Sequence, residues 1–130
     1  MNPNLVAPIA LVAAVATLAP VHAATVQRFS AAAFDAAQKL GRPILVDVYA
    51  DWCPVCRAQH EVLSQLLPRP EFRNLTVFSL NFDTQKNAWS KFGVHRQSTL
   101  IAYRGRNEVG RSIAATDNAT IENLLRASMR

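Results

Sequence analysis

Residues Ile44-Leu45-Val46-Asp47-Val48-Tyr49-Ala50 run directly into Asp51-Trp52-Cys53-Pro54-Val55-Cys56-Arg57, and any fold for this chain must accommodate both halves. The first half is an apolar run rich in β-branched residues, the pattern of a buried strand. The second half carries a proline suited to the first position of a helix. A strand must therefore hand over to a helix within a few residues, with Cys53 at the exposed helix start and Cys56 one turn further in. Unpaired backbone N–H groups and the helix dipole favour a thiolate at that start. Thiols so placed have pKa values lowered to about 3.5–7.5, against about 8.5 for a free thiol. The paired thiols can then shuttle between dithiol and disulfide.

These are the only two cysteines in the 130 residues. A disulfide closing so short a loop constrains little of the unfolded chain and adds little stability. A domain of this length also buries a core without a staple. The spacing therefore assigns the pair to chemistry, with Cys53 as the attacking thiol and Cys56 as the resolving one. A different chemistry stays open, because Cys56 and His60 stand at i and i+4 and could share a zinc or copper ion. A structural zinc site wants four ligands, and His95 is the one other imidazole after the leader, so no residue is assigned to a metal.

Residues 5–21 are almost continuously apolar, no charged side chain precedes Arg28, and Val21-His22-Ala23 has the small-residue spacing of a signal-peptidase site. The expectation is a signal peptide over residues 1–23, export to the periplasm, and a single domain over residues 24–130. An uncleaved membrane anchor is the alternative, although Pro8 interrupts the run and a span needs about 20 apolar residues. The net charge of +5 comes mainly from scattered arginines, three of them (Arg104, Arg106 and Arg111) close together late in the chain. Without interleaved aromatic residues this reads as a solvated basic face, so no nucleic-acid partner is expected.

Around the central strand the pattern predicts a strand over Thr25–Phe29 and a helix capped by Ser30 and ending near Leu40, with Phe34, Ala37 and Leu40 as its apolar stripe. The helix from Pro54 carries Val55, Val62, Leu63, Leu66 and Leu67 before Pro68 and Pro70 stop it. Further on come a strand over Leu75–Phe82, a short helix over Asn87–Phe92 and a hairpin of Thr99–Tyr103 with Glu108–Ile113. Asp117 caps a last helix with Ile121, Leu124, Leu125 and Met129 on one face. This order implies an α/β fold, a mixed central sheet with helices on both faces.

The stretch from Asp47 through the acidic residue Asp51 to Trp52-Cys53-Pro54-Val55-Cys56 resembles the thioredoxin family. Leu80-Asn81-Phe82-Asp83, Lys91-Phe92-Gly93-Val94, Ser98-Thr99-Leu100-Ile101 and Glu108-Val109-Gly110 resemble its later landmarks in register, over about residues 26–129. The resemblance implies a thioredoxin-like fold and thiol–disulfide exchange with protein substrates through the Cys53–Cys56 redox disulfide, with no further cofactor. It implies a buried Asp47 beneath the inner cysteine that assists proton transfer, which agrees with the cost of burying an unpaired carboxylate in an apolar strand. It also implies a docking surface from Trp52, Pro54, Ser98 and Thr99. The chain departs from the family at two points. Ser79 stands where thioredoxins usually carry a lysine near the Asp, and Ser98 stands where they carry a cis-proline facing the cysteines. A cis bond before a residue other than proline costs about 2.5–4 kcal/mol, so Gln97–Ser98 is expected to be trans.

The expected function is that of an exported, monomeric thiol:disulfide oxidoreductase. It would work in the reducing direction, in disulfide reduction or cytochrome c maturation, with a membrane thiol reductase as electron donor. The alternative is a metal-binding or chaperone-like module on the same fold without redox turnover.

Overall fold

The computed structural model describes residues 23–130, so the expected leader lies outside the described residues. The elements are β1 (Thr25–Arg28), α1 (Ala31–Lys39), β2 (Pro43–Tyr49), α2 (Pro54–Leu66), β3 (Thr76–Asn81), α3 (Lys86–Trp89), β4 (Thr99–Arg104), β5 (Asn107–Ile113) and α4 (Asn118–Met129). They build one five-stranded sheet in the order β1-β3-β2-β4-β5. β1, β3 and β2 are parallel, and β4 and β5 continue the sheet antiparallel. The central strand β2 thus has a partner on each side and is buried from Ile44 to Val48, as its unbroken apolar run requires.

Alternation along β2 sorts its side chains between two cores. Ile44, Val46 and Val48 join Phe78, Leu80 and Ile101 beneath α1, with Phe92 packed edge to face on both Phe29 and Phe34. Leu45 joins Val77, Leu100 and Ala102 beneath Leu63 and Leu66 of α2 and Ile121, Leu124 and Leu125 of α4. Asp47 has the parity of Leu45, so its carboxylate faces the layer that contains α2. This parity is what brings the strand's one charge to the cysteine helix.

The caps form where the side chains call for them. Ser30 Oγ accepts from the Ala33 N–H at 3.1 Å, and Asp117 Oδ1 accepts from the Thr120 N–H at 2.8 Å. Three local expectations shift. Leu40 falls just past the end of α1, at its C-cap, and is 69% exposed instead of completing the stripe. Phe29 leaves β1 and turns inward into the aromatic cluster. The short helix starts at Lys86, and its last turn, Ser90–Phe92, tightens to a 3-10 turn closed by Gly93 at φ +64°. Of the late arginines, Arg111 pairs with Glu108 at 2.6 Å and Arg106 with Asp35 at 3.4 Å, while Arg104 donates to the Arg130 carbonyl. No helix among the described residues is long and apolar enough to cross a membrane.

Candidate active site

β2 ends at Tyr49, and Pro54 opens α2 only four residues after Ala50, which fixes Cys53 as the helix N-cap. Its sulfur does what a capping oxygen usually does and accepts the Cys56 N–H at 3.1 Å. This folds the Cys53 side chain back over the helix start. The sequence implied an exposed Cys53, but the residue is only 2% exposed. Capping and the Ser98 hydroxyl cover its surface, although it lies at shallower depth than Cys56, which packs with Ala50 inside the turn.

The two sulfurs differ electrostatically. Burial, the largest single influence on Cys53, pushes its thiol up. The Cys56 thiol, the Ser98 hydroxyl and the Cys56 and Val55 N–H groups outweigh it and hold the Cys53 thiol below its ordinary value. Burial also dominates at Cys56, and there the neighbouring Cys53 adds to it, so the Cys56 thiol is pushed up despite help from Ser98 and the Ala50 backbone. The outer sulfur is therefore the one that ionises first.

Asp47 is buried, and its Oδ2 lies 2.7 Å from His60 Nε2. His60 stands one turn beyond Cys56 on α2, packs its ring against Tyr49 and is held above the ordinary imidazole range. The hydrogen bond to Asp47 is the main cause, opposed by burial and reinforced by the charges of Asp47 and Cys53. Asp47 Oδ1 is buried without a partner. Asp47 and His60 line an open pocket of about 280 Å³ together with Ser79, which gives the pair a route to solvent. A more apolar pocket of about 440 Å³ around Phe29, Phe34, Ala88 and Phe92 includes neither cysteine nor any of these groups.

Ser98 is buried against both cysteines, its Oγ 3.2 Å from Cys53 Sγ and 3.4 Å from Cys56 Sγ. No peptide bond among the described residues is cis, so Gln97–Ser98 is trans as expected. Ser98 instead adopts φ +60°, a left-handed conformation unusual for a residue with a Cβ. Thr99, next in line, starts β4 buried and donates its hydroxyl to the Arg96 carbonyl. At the rim, Pro54 is exposed, and Trp52 is 59% exposed with its indole N–H donating to Asp83 Oδ2 at 2.9 Å.

Cys53, Cys56, Ser98 and Thr99 therefore meet at one sheet end, with Trp52 and Pro54 at its edge. Asp47 joins the site on the His60 side. The sequence offered His60 as a candidate metal ligand beside Cys56, but its ring is turned to Asp47. Among the described residues no group of three or more His, Cys, Asp or Glu side chains is placed to hold a metal ion. Gln59 was missed altogether. It is fully buried, and its amide donates to the carbonyls of Ser98 at 3.2 Å and Ala115 at 2.9 Å. The signal was available, because Cys56, Gln59, Leu63 and Leu66 form the buried stripe of α2.

The thioredoxin family model matches residues 24–127. The chain belongs to the thioredoxin family. It is similar to a thioredoxin of Synechocystis, 30% identical over 83 residues, which cover 64% of this chain and 77% of that one. It also resembles a solved structure, Trxlp from Edwardsiella tarda EIB202, at 51% identity and a TM-score of 0.76, covering 78% of this chain and 98% of the other. A shorter match, 41% identical over 54 residues, is to the thiol:disulfide interchange protein DsbE of Escherichia coli K12, covering 39% of this chain and 27% of that protein. As a thioredoxin family member with this dithiol site, the chain is a thiol:disulfide oxidoreductase acting on protein disulfides.

Proposed function

We propose that this thioredoxin family member is an exported reductase of protein disulfides, with Cys53 as nucleophile and Cys56 as resolving thiol. The observation that carries the assignment of roles is the contrast between the sulfurs: Cys53 caps the helix and is held below its ordinary value, while Cys56 is buried and pushed up. Cys53 thiolate attacks one sulfur of a substrate disulfide, and the other sulfur leaves. Cys56, deprotonated, then attacks Cys53 Sγ, releases the substrate as a dithiol and closes the Cys53–Cys56 disulfide. Asp47 and His60 act as the proton-handling pair for the resolving step, and Trp52, Pro54, Ser98 and Thr99 form the surface on which substrate docks. No cofactor beyond the cysteine pair is required.

The apolar leader with Val21-His22-Ala23 supports cleavage after Ala23 and a periplasmic product. In that compartment the oxidised pair would be reset by a membrane thiol reductase. The partial likeness to a protein named as a thiol:disulfide interchange protein supports disulfide exchange as the activity. The reducing direction is supported by the buried Asp47 and by the acidic–Trp–Cys stretch shared with thioredoxins.

Trapping tests the roles. Expressed in the periplasm, Cys56→Ser should accumulate mixed disulfides on non-reducing gels, because the resolving thiol is absent, while Cys53→Ser traps almost nothing. Equal trapping by both variants, or by Cys53→Ser alone, refutes the assignment. Direction is read from the reduction potential of the pair. A value near about −270 mV supports a reductase, and one near about −120 mV a strong oxidant. Amino-terminal sequencing of the periplasmic protein should begin at Ala24.

A further inference from the structure

Ser98 and Gln59 together form a device that neither cysteine requires for its own placement. Ser98 Oγ approaches both sulfurs, at 3.2 Å and 3.4 Å, from a fully buried position. It reaches that position only because its backbone is held left-handed at φ +60°. Two groups hold it there through its carbonyl oxygen: the Gln59 amide at 3.2 Å and the Ala114 N–H at 2.9 Å. Ala114 is itself left-handed at φ +60°, so two strained residues are locked to each other, with Gln59 bridging from Ser98 to Ala115. Left-handed conformations at residues with a Cβ are strained and persist where surrounding structure over-determines them, often at functional sites.

A hydroxyl carries one proton, so it can donate to one of the two sulfurs at a time. We infer that Ser98 is a catalytic residue whose hydroxyl is shared in sequence between the two sulfurs, donating first to the Cys53 thiolate and then to the Cys56 thiolate, and that Gln59 is the residue that positions it. The inference rests on the roles proposed above for Cys53 and Cys56. When Cys53, the thiol that ionises first, gives up its proton, the Ser98 hydroxyl joins the Cys56 N–H in stabilising the thiolate. Cys53 Sγ then bonds to one substrate sulfur as the substrate S–S bond breaks, and the departing sulfur leaves with the electron pair and is protonated. Cys53 Sγ is now neutral, which frees the hydroxyl to rotate to Cys56. The Cys56 proton passes by way of the Asp47–His60 pair to solvent, its thiolate attacks Cys53 Sγ, and the second substrate sulfur leaves with its electron pair and is protonated. The substrate gains two electrons and the cysteine pair loses them, while Ser98 is unchanged. The other titratable groups around this chemistry are His60, whose charge favours the Cys53 thiolate, Asp47 on its ring, and Asp51 and Arg57 flanking the motif on its exposed side.

Ser98→Ala and Ser98→Gly separate the hydroxyl from the backbone. Alanine already occupies the same conformation at position 114, and glycine adopts it without strain. Dithiobis(nitrobenzoate) mixed with the reduced protein releases one coloured thiolate as Cys53 attacks and a second as Cys56 resolves, so the steps appear as two phases. In both variants the pH profiles of both phases should move to higher pH, by about one unit, the scale of one lost hydrogen bond to a charged group. A purely structural role would move neither profile, and it would set Ala and Gly apart because only Gly relieves the backbone. A shift in the first phase alone, or in neither, overturns the shared donor. If the wild type itself gives no second phase, the proposed roles of Cys53 and Cys56 fall, and this inference falls with them. A wild type with both phases beside unshifted variants overturns this inference alone.

Discussion

His60 Nε2 lies 2.7 Å from Asp47 Oδ2, so α2 supplies the partner for the buried carboxylate of β2 that β3 lacks. Asp47 is paired in register with Ser79 of β3, whose short neutral side chain shares the same pocket. The proton-bearing group beside the buried acid thus sits one turn from Cys56, on the helix that carries both sulfurs.

His60→Ala should destabilise the fold in a pH-dependent way. The imidazole is held above its ordinary value in the folded chain. A raised folded pKa contributes stability that is fully present below the unfolded value, about 6.5, and is lost as pH rises through the folded value. Denaturant unfolding should therefore show the variant weaker by about 1–3 kcal/mol near pH 6, with the gap closing on the alkaline side. The lower end is expected, because the ring is 42% exposed and screened by solvent. A gap independent of pH would mean that packing against Tyr49, not the Asp47 pair, is what was lost.

Asp47→Asn keeps the shape of the side chain and removes its charge. If the Asp47–His60 pair carries the resolving proton, the second phase of the nitrobenzoate reaction should slow near neutral pH while the first is preserved. His60→Gln should slow the same phase, and the double variant should lose less than the sum, as expected for two residues of one hydrogen-bonded unit. Additive losses would mean that the two act separately.

The strand–turn–helix at the centre, the caps at Ser30 and Asp117 and the hairpin were legible because each is a local signal: periodicity, a capping oxygen, a proline at a helix start. The cluster at the sheet end was legible through the family resemblance, which sets the residue at position 98 facing Cys53 and Cys56. The partners across the layers were not. His60 is tied to Asp47 by the crossing of α2 over β2, which no spacing in the chain reports. Gln59 reads as part of a polar face until the stripe through Cys56, Leu63 and Leu66 is traced around the helix. The left-handed backbone at Ser98 leaves no mark in Gln97-Ser98-Thr99, which has no glycine to signal it.

Gln59→Leu tests the bridge. Leucine fills similar space but leaves the half-buried Ala115 carbonyl without the donor it has at 2.9 Å. Unfolding should show a loss of about 1 kcal/mol, the lower end of the penalty for a polar group left unpaired, because that carbonyl is only half-buried. The Cys53 titration should also move upward, though less than with Ser98 removed, because the Ala114 N–H still holds the Ser98 carbonyl. A loss of stability with no change in the thiol would make Gln59 a structural brace only.

Removing the Ser98 hydroxyl should also make the pair more reducing. Hydrogen bonds to a thiolate stabilise the dithiol state and have no counterpart of equal strength in the disulfide. Each 1.4 kcal/mol lost from the dithiol lowers the potential of a two-electron couple by about 30 mV. Ser98→Gly, equilibrated against glutathione, should therefore shift by roughly that amount to more negative values, and an unchanged potential would place the hydroxyl outside the redox balance.

Ser98→Pro looks from the sequence like a simple restoration of the family's turn, with better general reductase activity as the expected gain. The backbone argues the reverse. The proline ring fixes φ near −65°, whereas Ser98 stands at φ +60°. Accepting proline means turning this residue over, which breaks the alignment of its carbonyl with the buried Gln59 amide and the Ala114 N–H and leaves both donors to find other partners. The hydroxyl is lost as well. The variant should therefore unfold at lower denaturant, by about 3 kcal/mol or more, and reduce insulin disulfides more slowly than the wild type. Ser98→Gly provides the comparison, since it loses the same hydroxyl without opposing the backbone and should keep its stability. A proline variant that is as stable as the glycine variant and faster than the wild type would show that this loop converts to the family's turn unaided. Ser98 would then be a replaceable substitute for proline and not the donor around which the loop is built.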